Sequence, residues 1–583
     1  MLFLSFREIF RMQKLHIKDK YDVVIIGGGI SGLTSAALYS RFGMSVCLLE
    51  MDARPGGYVA GFRRKDYRFD SAIHWLNQCG PKGYVTQVFK AIGTDYPKAE
   101  VQKKIRRYRG GDVDYLVTNT PDDFMEDLIR DFPKDEKGIR KFFKHAKRIA
   151  KSFDNYNRIS RTMDTMNLFE KAIRGMKMLN FAIPFIPHIS YHGDEGVKKG
   201  LSKYFKEPKL IQLFAAEPDL LSCLIPIAWA YIEDFQTPPE GGSQTFAEWL
   251  LHVIREYNND VFFKSRVTQV LVEDGKTTGV RFDHRGNEFE VKAKYVIAAC
   301  DVETLYERML PEGTASPKMI DNLRNAELYA SAVTLNIGLN CTAESLGFGE
   351  EMIYLANQDP SLTRKEHGNG DPLTSGIHML AATTRDKSLA PAGKGTLTVF
   401  IPGFIDQYDR WKTEFDEHGN VVRGEAYNNL KQEIADILIK RIERELKIRL
   451  KENIAYLDIA TPITHERYTG NRGGTMMGAR PGKANMQANV AHYKTPVKNL
   501  YLSGHWAELG GGVPVAVRAA MNTTLLVLQK ENKKAYKVLA NYIDGKIDSE
   551  KLNASEYTKP YLNNWVCEKT PAQKKEERAK SGD

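Results

Sequence analysis

Long apolar runs are missing from this sequence of 583 residues. No uninterrupted run reaches about 18 residues, the length that a membrane-spanning helix needs, so we expect no spanning helix. The N-terminal stretch, 1–20, is too charged for a secretory signal peptide and has no small-residue cleavage site. Its apolar residues can share one face of a helix, so an interfacial anchor and a frayed extension both fit it.

Cysteine is scarce, and its six residues are scattered without a CxxC pair or a metal-ligand spacing. This argues against a disulfide reductase and favours a reducing compartment, so we expect a cytoplasmic protein. No Ser-His-Asp signature, no paired carboxylates and no metal cluster is visible, and no metal is expected.

Charge of one sign is not concentrated anywhere, although Lys and Arg exceed Asp and Glu by 83 to 73. No compact basic motif with interleaved aromatic residues occurs, so nucleic acid is not an expected partner. An anionic membrane surface fits the net charge of +10 better. The length predicts two or three domains, and the content of 42% hydrophobic residues is ordinary for a globular protein.

The strongest motif lies between residues 21 and 57. Asp22 is followed by the β-branched apolar residues 23–26, a run typical of a strand buried on both faces. Gly27, Gly29 and Gly32 follow in GxGxxG spacing, and a helical stretch and a second apolar run then lead to Glu50. Strand, glycine turn, helix, strand and acid in this order predict a Rossmann-type dinucleotide-binding unit.

Each residue of this motif has a physical role. Gly27 permits the tight turn, Gly29 lets the backbone approach a pyrophosphate, and Gly32 lets the helix pack close to the strand. The N-terminus of the helix offers unpaired N–H groups to the phosphates. Glu50 is placed to accept the ribose hydroxyls of an adenosine and disfavours a 2′-phosphate, so NADP is not expected at this site.

The residues after the acid distinguish a flavin from a nicotinamide. The sequence RPGG at 54–57 adds a second glycine pair, which leaves room for more backbone against the same pyrophosphate. The chain here resembles flavin-dependent oxidoreductases that carry a dinucleotide fold followed by an R-x-G-G loop, and the resemblance implies FAD. No second GxGxxG with a trailing acid occurs, so a built-in NAD(P)H site is not expected.

The pattern along the rest of the chain predicts an α/β protein. We expect a Rossmann-type FAD-binding domain, similar to that of glutathione reductase, combined with a discontinuous mixed α+β substrate domain. The assigned ranges are 1–20 for the N-terminal extension, 21–83, 236–304 and 491–530 for the FAD-binding domain, 84–235 for a helical region facing substrate or membrane, 305–490 for the substrate domain, and 531–583 for a charged tail, disordered from 570 onward.

Two segments of the helical region are unusually apolar. Residues 176–189 hold two prolines and follow basic residues, a pattern suited to shallow insertion into a membrane surface beside a substrate entrance. Residues 220–232 are suited to lining an apolar tunnel. A buried core segment is the alternative interpretation of each.

Three separated blocks, 22–57, 461–478 and 500–514, together resemble the phytoene desaturase family. That family includes carotenoid desaturases, carotenoid isomerases and retinol saturases. The TPITHERYTGN sequence at 461–471 and GGGVP at 510–514 are the more specific parts. The resemblance implies FAD and a lipophilic substrate, but it is thin over 84–230 and 340–455, which would shape the substrate pocket.

The resemblance also implies which residues contact the cofactor. They are Gly27, Gly29, Ile30, Ser31, Gly32, Glu50, Met51, Gly56, Gly57, Val267, Gly504, Gly511, Gly512 and Val513. The helix after 510–514 is expected to point its positive dipole end at the flavin ring and to stabilise reduced flavin.

Few side chains are available for proton transfer. His74, His465 and Glu508 are the residues most able to assist with a proton, although none has a partner visible in the sequence. The closing block departs from the family because His505, Trp506 and Glu508 stand near a turn that family members usually fill with small residues. A substrate with a polar head therefore becomes plausible.

Three functions stay open at this point. The first is a flavin oxidoreductase that desaturates, saturates or isomerises C–C bonds of an isoprenoid or other lipid by hydride exchange at flavin N5. The second is an amine-oxidase-like flavoenzyme, and the third is a non-redox FAD protein such as a lipid hydratase. The first requires an external electron donor or acceptor: a quinone, oxygen or a redox protein. We expect peripheral membrane association.

Overall fold

The computed structural model describes residues 17–156, 160–214, 217–357, 359, 362, 364–417 and 420–567. The predicted N-terminal helix, apart from its last residues, and the predicted disordered tail lie outside the described residues. The strands are β1 (Lys20–Ile26), β2 (Val46–Leu49), β3 (Gly61–Arg64), β4 (Tyr67–Asp70), β5 (Lys104–Gly110), β6 (Val113–Thr118), β7 (Asp260–Phe262), β8 (Ser265–Glu273), β9 (Lys276–His284), β10 (Asn287–Ala298), β11 (Ser331–Leu339), β12 (Met352–Leu355), β13 (Ile377–Leu380), β14 (Gly395–Gly403), β15 (Glu414–Phe415), β16 (Val421–Val422), β17 (Ile454–Ala460) and β18 (Leu500–Leu502).

Helices are distributed along the whole described chain. They are α1 (Ile30–Arg41), α2 (Tyr84–Ile92), α3 (Pro121–Asp131), α4 (Glu136–Tyr156), α5 (Leu168–Ala182), α6 (Gly193–Leu201), α7 (Pro208–Phe214), α8 (Leu220–Tyr231), α9 (Gln244–Glu256), α10 (Pro317–Arg324), α11 (Glu425–Leu446), α12 (Pro462–Thr469), α13 (Lys483–Ala488), α14 (Val513–Glu531), α15 (Lys533–Ile543) and α16 (Ser549–Asn553). Shorter helical turns lie at Val302–Thr304, Arg364–His367 and Gln407–Lys412.

The first sheet has the order β7-β2-β1-β10-β9-β8, with β18 also pairing with β10. β7, β2, β1, β10 and β18 run parallel, whereas β9 pairs antiparallel with β10, and β8 pairs antiparallel with β9. Val23, Val24 and Ile25 of β1 are fully buried because helices cover both faces of a parallel sheet. The predicted α/β fold class with a Rossmann-type domain is confirmed.

The second sheet has the order β17-β11-β14-β13-β12-β5-β6, and only its β12–β5 pair is parallel. One of its faces is apolar and buries side chains such as Leu335, Ile353, Met379 and Val399. This face packs on α11, whose Ile434 and other apolar residues belong to the same core. The opposite face carries polar and aromatic side chains and is not part of that core.

The helical region between β6 and β7 has a core of its own. Helices α3, α4, α6, α7 and α8 contribute its buried side chains, including Phe124, Phe142 and Leu224. Pro121 begins α3 at a position where a proline is tolerated. The amphipathic stripes of α3 and α4 are therefore ordinary core positions.

The chain after α14 is folded as far as residue 567. Leu539 of α15 and Leu552 of α16 are fully buried, and an extended segment then crosses the first domain. There the backbone N–H of Lys559 donates to the carbonyl of Arg41, and the Tyr561 hydroxyl donates to Asp95 at 2.8 Å. The charged stretch predicted as a tail from 531 thus contributes amphipathic helices to the nucleotide-binding side.

Candidate cofactor and substrate site

The glycine turn between β1 and α1 has three different steric environments. Gly27 has a φ of +103°, and an added Cβ would lie 2.6 Å from the carbonyl oxygen of Ala299 at the end of β10. An added Cβ on Gly32 would overlap the carbonyl oxygen of Gly27. A Cβ on Gly29 would meet nothing within 4 Å. Gly27 and Gly32 are therefore required because backbone atoms leave no room for a side chain, whereas the space beside Gly29 is open.

The N-terminus of α1 faces this open space. Gly29 is its N-cap residue and supplies no side-chain cap, so the N–H groups of the first turn, around Ile30 and Ser31, have no side-chain acceptor there. The Ser31 hydroxyl lies 2.8 Å from the Ser503 hydroxyl, which ties α1 to the end of β18. Gly504 follows with a φ of +81°. An uncapped helix N-terminus of this kind binds anions such as a pyrophosphate.

Glu50 directly follows β2 and lies beside the same turn. Its Oε2 accepts the Gly28 N–H at 2.5 Å, and its Oε1 accepts the Asp52 N–H at 2.7 Å. Burial raises the pKa of Glu50, and these two backbone donors oppose the shift. The Glu50 carbonyl accepts the N–H of Ser265 at the start of β8, two residues before the buried Val267. The structure therefore brings Glu50 and β8 together, with Met51 between Glu50 and Asp52.

The second glycine pair packs on the first. The Gly56 N–H donates to the Gly28 carbonyl at 2.7 Å, and an added Cβ on Gly57 would lie 3.2 Å from the Cα of Gly29. Both residues have positive φ, 127° for Gly56 and 55° for Gly57. The two loops thus enclose the space beside Gly29.

The closing glycine turn caps a second helix. Gly512 has a φ of +86° and is the N-cap residue of α14, which begins at Val513 and again lacks a side-chain cap. An added Cβ on Gly511 would overlap the Met477 side chain. β18 pairs in parallel with β10, so this turn follows the same edge of the sheet as the turn after β1.

These residues fit an FAD molecule. The open space at Gly29, two uncapped helix N-termini and the carboxylate of Glu50 match a pyrophosphate, a flavin and an adenosine ribose in kind. Asp301 Oδ2 and His505 Nε2 are buried without a hydrogen-bond partner in the described structure, as expected of atoms beside a bound group. No cluster of metal-ligating side chains is found in the described part of the chain.

His74 lies in the loop after β4 and packs on the second sheet. Its ring stacks on Phe400 of β14 with centroids 4.6 Å apart, and its carbonyl accepts Arg385 Nη1 at 3.0 Å. Burial, reinforced by the charge of Arg385, lowers the pKa of His74 to about 4. The imidazole is therefore neutral at pH 7, and the same burial makes it a weaker base than a free imidazole.

His465 lies in α12, and its ring centroid is 6.4 Å from that of Tyr58. Burial lowers the pKa of His465 to about 4, and its Nε2 has no hydrogen-bond partner in the described structure. The Tyr58 hydroxyl donates to the Thr475 carbonyl at 2.6 Å. Tyr58 follows Gly57 directly, so this pair connects the cofactor loops with α12.

Glu508 is held in a buried polar network. The Tyr493 hydroxyl donates to its Oε1, Asn522 Nδ2 donates to the same oxygen at 3.2 Å, and Arg518 Nε lies 4.0 Å from Oε2. Burial raises the pKa of Glu508. These contacts fix the loop before the closing turn, and a role in proton transfer stays a prediction.

The structure does not bring the three predicted proton-handling residues together. His74, His465 and Glu508 make no hydrogen bond or ring contact with one another among the described residues. Sequence reasoning missed Tyr58 and gave His505 no role. The His505 ring packs on Gly478, where an added Cβ would overlap it, and burial lowers its pKa to about 4. The sequence feature that could have pointed to His505 was its position near a turn that family members usually fill with small residues.

This chain is similar to one domain family and to three known proteins of comparable length. A family model described as an NAD(P)-binding Rossmann-like domain matches residues 25–92. Prolycopene isomerase of Daucus carota is 23% identical over 508 residues, which cover 85% of this chain and 78% of the relative. All-trans-retinol 13,14-reductase of Danio rerio is 24% identical over 545 residues, 85% and 84% of the two chains. 4,4′-Diapophytoene desaturase of a Methylomonas species is 21% identical, covering 87% and 95%.

Solved structures share the fold. An oxidoreductase from Methanosarcina mazei has a TM-score of 0.53 at 16% identity and covers 86% of this chain and 99% of its own. A redesigned putrescine oxidase has a TM-score of 0.55 at 13% identity, covering 88% and 99%. At these identities the likeness concerns the fold alone.

Proposed function

We propose that this chain, a homologue of the carotenoid desaturase-like FAD oxidoreductases, uses FAD to desaturate, saturate or isomerise C–C bonds of a lipophilic, polyene-like substrate. The family and the enzyme class predicted from the sequence are confirmed by the isomerase, reductase and desaturase relatives. The main observation behind the proposal is a pair of helix N-termini at the proposed cofactor site. Two uncapped helix N-termini, those of α1 and α14, follow β1 and β18, which are parallel strands that both pair with β10 in the first sheet.

The chain's own contribution is binding and orientation. When bound, FAD supplies hydride exchange with a substrate carbon. The N–H groups at the start of α14 stabilise negative charge beside Gly512, and those of α1 hold the pyrophosphate beside Gly29. His74 and His465 are neutral at pH 7, and the role proposed for them is to assist a proton transfer. The same role is proposed for Glu508.

Electrons must enter or leave through another molecule in this proposal. The sequence holds a single dinucleotide motif, which the adenosine half of FAD would occupy. We therefore include an external electron donor or acceptor, either a quinone, oxygen or a redox protein. Its identity decides whether the net reaction is desaturation or saturation, whereas isomerisation needs no net transfer.

The reaction is tested by anaerobic incubation of the flavin-loaded protein with a total lipid extract, followed by mass spectrometry. We expect lipids that lose or gain two hydrogens, or isomers of unchanged mass and altered retention. Lipids that gain the elements of water would instead indicate a hydratase. Reduction of the flavin by putrescine, with no change in any lipid, would indicate amine oxidation and contradict the proposal.

We also propose that α5 and the turn after it rest on a membrane surface. No residue of α5 is buried, and Phe169 is 74% exposed. Met176, Leu179, Ile183 and Ile186 continue the exposed apolar stripe at intervals of three or four residues. Lys171 and Lys177 flank it, as in interfacial helices that bind anionic lipids. In the described residues no helix has the length and apolar character to cross a membrane.

The membrane proposal predicts the result of co-sedimentation with anionic liposomes. We expect the double variant Leu179→Asp with Ile186→Asp to stay in the supernatant, because two charges would have to enter the apolar layer. Leu562→Asp with Val566→Asp is the matched control, since both residues are exposed in the C-terminal segment. Phe181 and Phe185 are unsuitable because their rings pack against Phe153. Unchanged sedimentation of the first variant would contradict the proposal.

A further inference from the structure

A row of aromatic rings crosses the second sheet, on the face opposite α11. Tyr108 on β5, Tyr354 on β12, His378 on β13 and Phe400 on β14 are cross-strand partners in register. Their ring centroids are 6.1 Å apart for the tyrosine pair and 4.9 Å for each following pair. His74 adds a fifth ring, 4.6 Å from Phe400. We call these five residues the ring row.

Three rings of the row, those of His74, Phe400 and His378, stack on one another. The Tyr354 ring is tilted by 44° to the His378 ring, and the Tyr108 ring stands at 80° to the Tyr354 ring. The ring planes of His74 and His378 lie within 12° and 8° of the plane of Phe400, which stands between them. The Phe400 ring has a ring stacked on each of its faces, so its edge, and not its face, is left to contact a ligand. Ring edges carry partial positive charge and favour the negative face of another π-system. The ring row therefore presents a surface suited to the flat face of a conjugated chain.

The ring row lies inside the molecule but keeps accessible surface. Tyr108, His378 and Phe400 are only half-buried, whereas Ile377 and Val399 on the opposite face are fully buried. Desolvation nevertheless lowers the pKa of His378 to about 3. Both imidazoles of the row are thus uncharged at pH 7. An internal face with accessible, uncharged rings is a place for an apolar ligand.

A half-buried ion pair lies at one end of the row. Arg106 Nη1 lies 3.2 Å from Glu217 Oε1, and the Arg106 guanidinium is 5.9 Å from the centre of the Tyr108 ring. Both side chains keep exposed surface, 16% for Arg106 and 30% for Glu217. Burial raises the pKa of Glu217. The pair offers one donor and one acceptor, which matches the needs of a hydroxyl group.

The other end of the row, at His74, lies in a segment that is connected by hydrogen bonds to the loop that contains the glycine pair at 56–57. Asp70, four residues before His74, accepts both the N–H and the hydroxyl of Ser243 at 2.9 Å. The Ser243 hydroxyl also lies 2.9 Å from the carbonyl of Val59, which follows the glycine pair at 56–57. At about 4.8 Å between strands, Tyr108 and Phe400 are about 14 Å apart. The apolar stretch is therefore bounded on both sides.

We propose that the ring row is the floor of the substrate site, where a flat conjugated segment lies across β5, β12, β13 and β14 with an oxygen-bearing end at Arg106 and Glu217. The inference rests on the proposed function and adds the residues that select the substrate. The inference limits the substrate to a chain whose flat conjugated part is about as long as the 14 Å between Tyr108 and Phe400. The end of that chain beside Arg106 and Glu217 carries a hydroxyl group.

The test uses the full-length, flavin-loaded protein and two 18-carbon alcohols. Parinaryl alcohol is a conjugated, fluorescent probe, and octadecanol is its saturated counterpart, measured by displacement. We expect His378→Leu and Tyr354→Leu to weaken parinaryl alcohol binding about fivefold to tenfold, as expected for losing one aromatic contact, and octadecanol binding by less than about twofold. Tyr456→Leu, on the same face of β17 but outside the row, should change neither affinity.

The polar end is tested with a charge-neutral double variant, Arg106→Leu with Glu217→Leu, which leaves no unpaired buried charge. We expect it to weaken parinaryl alcohol binding and to leave the binding of the parinaryl methyl ether unchanged. Retained flavin and an unchanged melting temperature verify the fold of every variant.

Three outcomes distinguish this inference from the proposed function. Equal weakening of both alcohols by the ring variants would overturn the inference and leave the proposed function intact, because the row would then be a general apolar wall. Equal loss of the alcohol and its ether in the double variant would overturn the assignment of the polar end. Failure of the unmodified protein to bind either alcohol would overturn the inference, whereas the proposed function is decided by the lipid-extract experiment.

Discussion

Protein carrying Gly29→Val is expected to fold and to purify without flavin. The N-cap position of Gly29 has φ −70° and ψ 175°, an extended backbone that valine adopts without strain. Its Cβ would meet no protein atom within 4 Å, so the added methyl groups project into the space proposed for the pyrophosphate. Without room for the pyrophosphate, FAD should not stay bound. The flavin content is measured from the visible absorbance of the desalted protein.

Two further glycine variants separate this effect from general damage. Gly424 is also an extended N-cap with nothing within 4 Å, at the start of α11, so Gly424→Val should keep both fold and flavin. Gly32→Val places its Cβ onto the Gly27 carbonyl and should lower the melting temperature of the protein itself. Full flavin content in folded Gly29→Val protein would show that FAD does not bind at this turn.

Turnover in Gly511→Leu protein is expected to fall about 100-fold or more, the cost of displacing a reacting group by about 1 Å. The new side chain would overlap Met477, so the turn that begins α14 must move. His74→Ala, His465→Ala and Glu508→Ala should each cost less, if orientation contributes more than proton transfer. Turnover is measured with the substrate found in the lipid experiment, at equal FAD content.

The control for this comparison is Gly482→Leu. Gly482 lies in the segment before α13 with an extended φ of 177°, and an added Cβ there meets nothing within 4 Å. Its activity should match that of the unmodified protein. General acid or base catalysis contributes about 10²- to 10⁴-fold. Loss of that size in one of the three alanine variants, with Gly511→Leu still active, would show that a side chain carries the mechanism.

The local structure of the proposed nucleotide site could be predicted because its parts are contiguous in the chain. The strand, the turn, the helix and Glu50 all lie within residues 21–57, and each depends mainly on its neighbours in the chain. Gly27 and Gly32 are required by backbone atoms a few residues away or on the adjacent strand β10. The fold class followed from this unit, since a buried parallel strand needs partners and covering helices.

The two apolar segments of the helical region show where sequence reasoning stopped. Residues 176–189 and 220–232 are similar in composition, and both could be read as buried or as functional. In the structure α8 buries Leu220, Leu224 and Ala228, whereas no residue of α5 is buried. The composition of a segment determines how much free energy its burial could contribute. Whether the segment is buried depends on its packing against other helices.

Tertiary structure alone assembled the ring row and the network around Glu508. Tyr108, His378 and Phe400 are separated by tens to hundreds of residues, and strand pairing in a sheet of non-consecutive order makes them neighbours. No local pattern encodes such a row, because the register of each pair is fixed by the whole sheet. The sequence by itself determined a dinucleotide-binding oxidoreductase, and the pairing of distant strands decided which side chains face the proposed substrate.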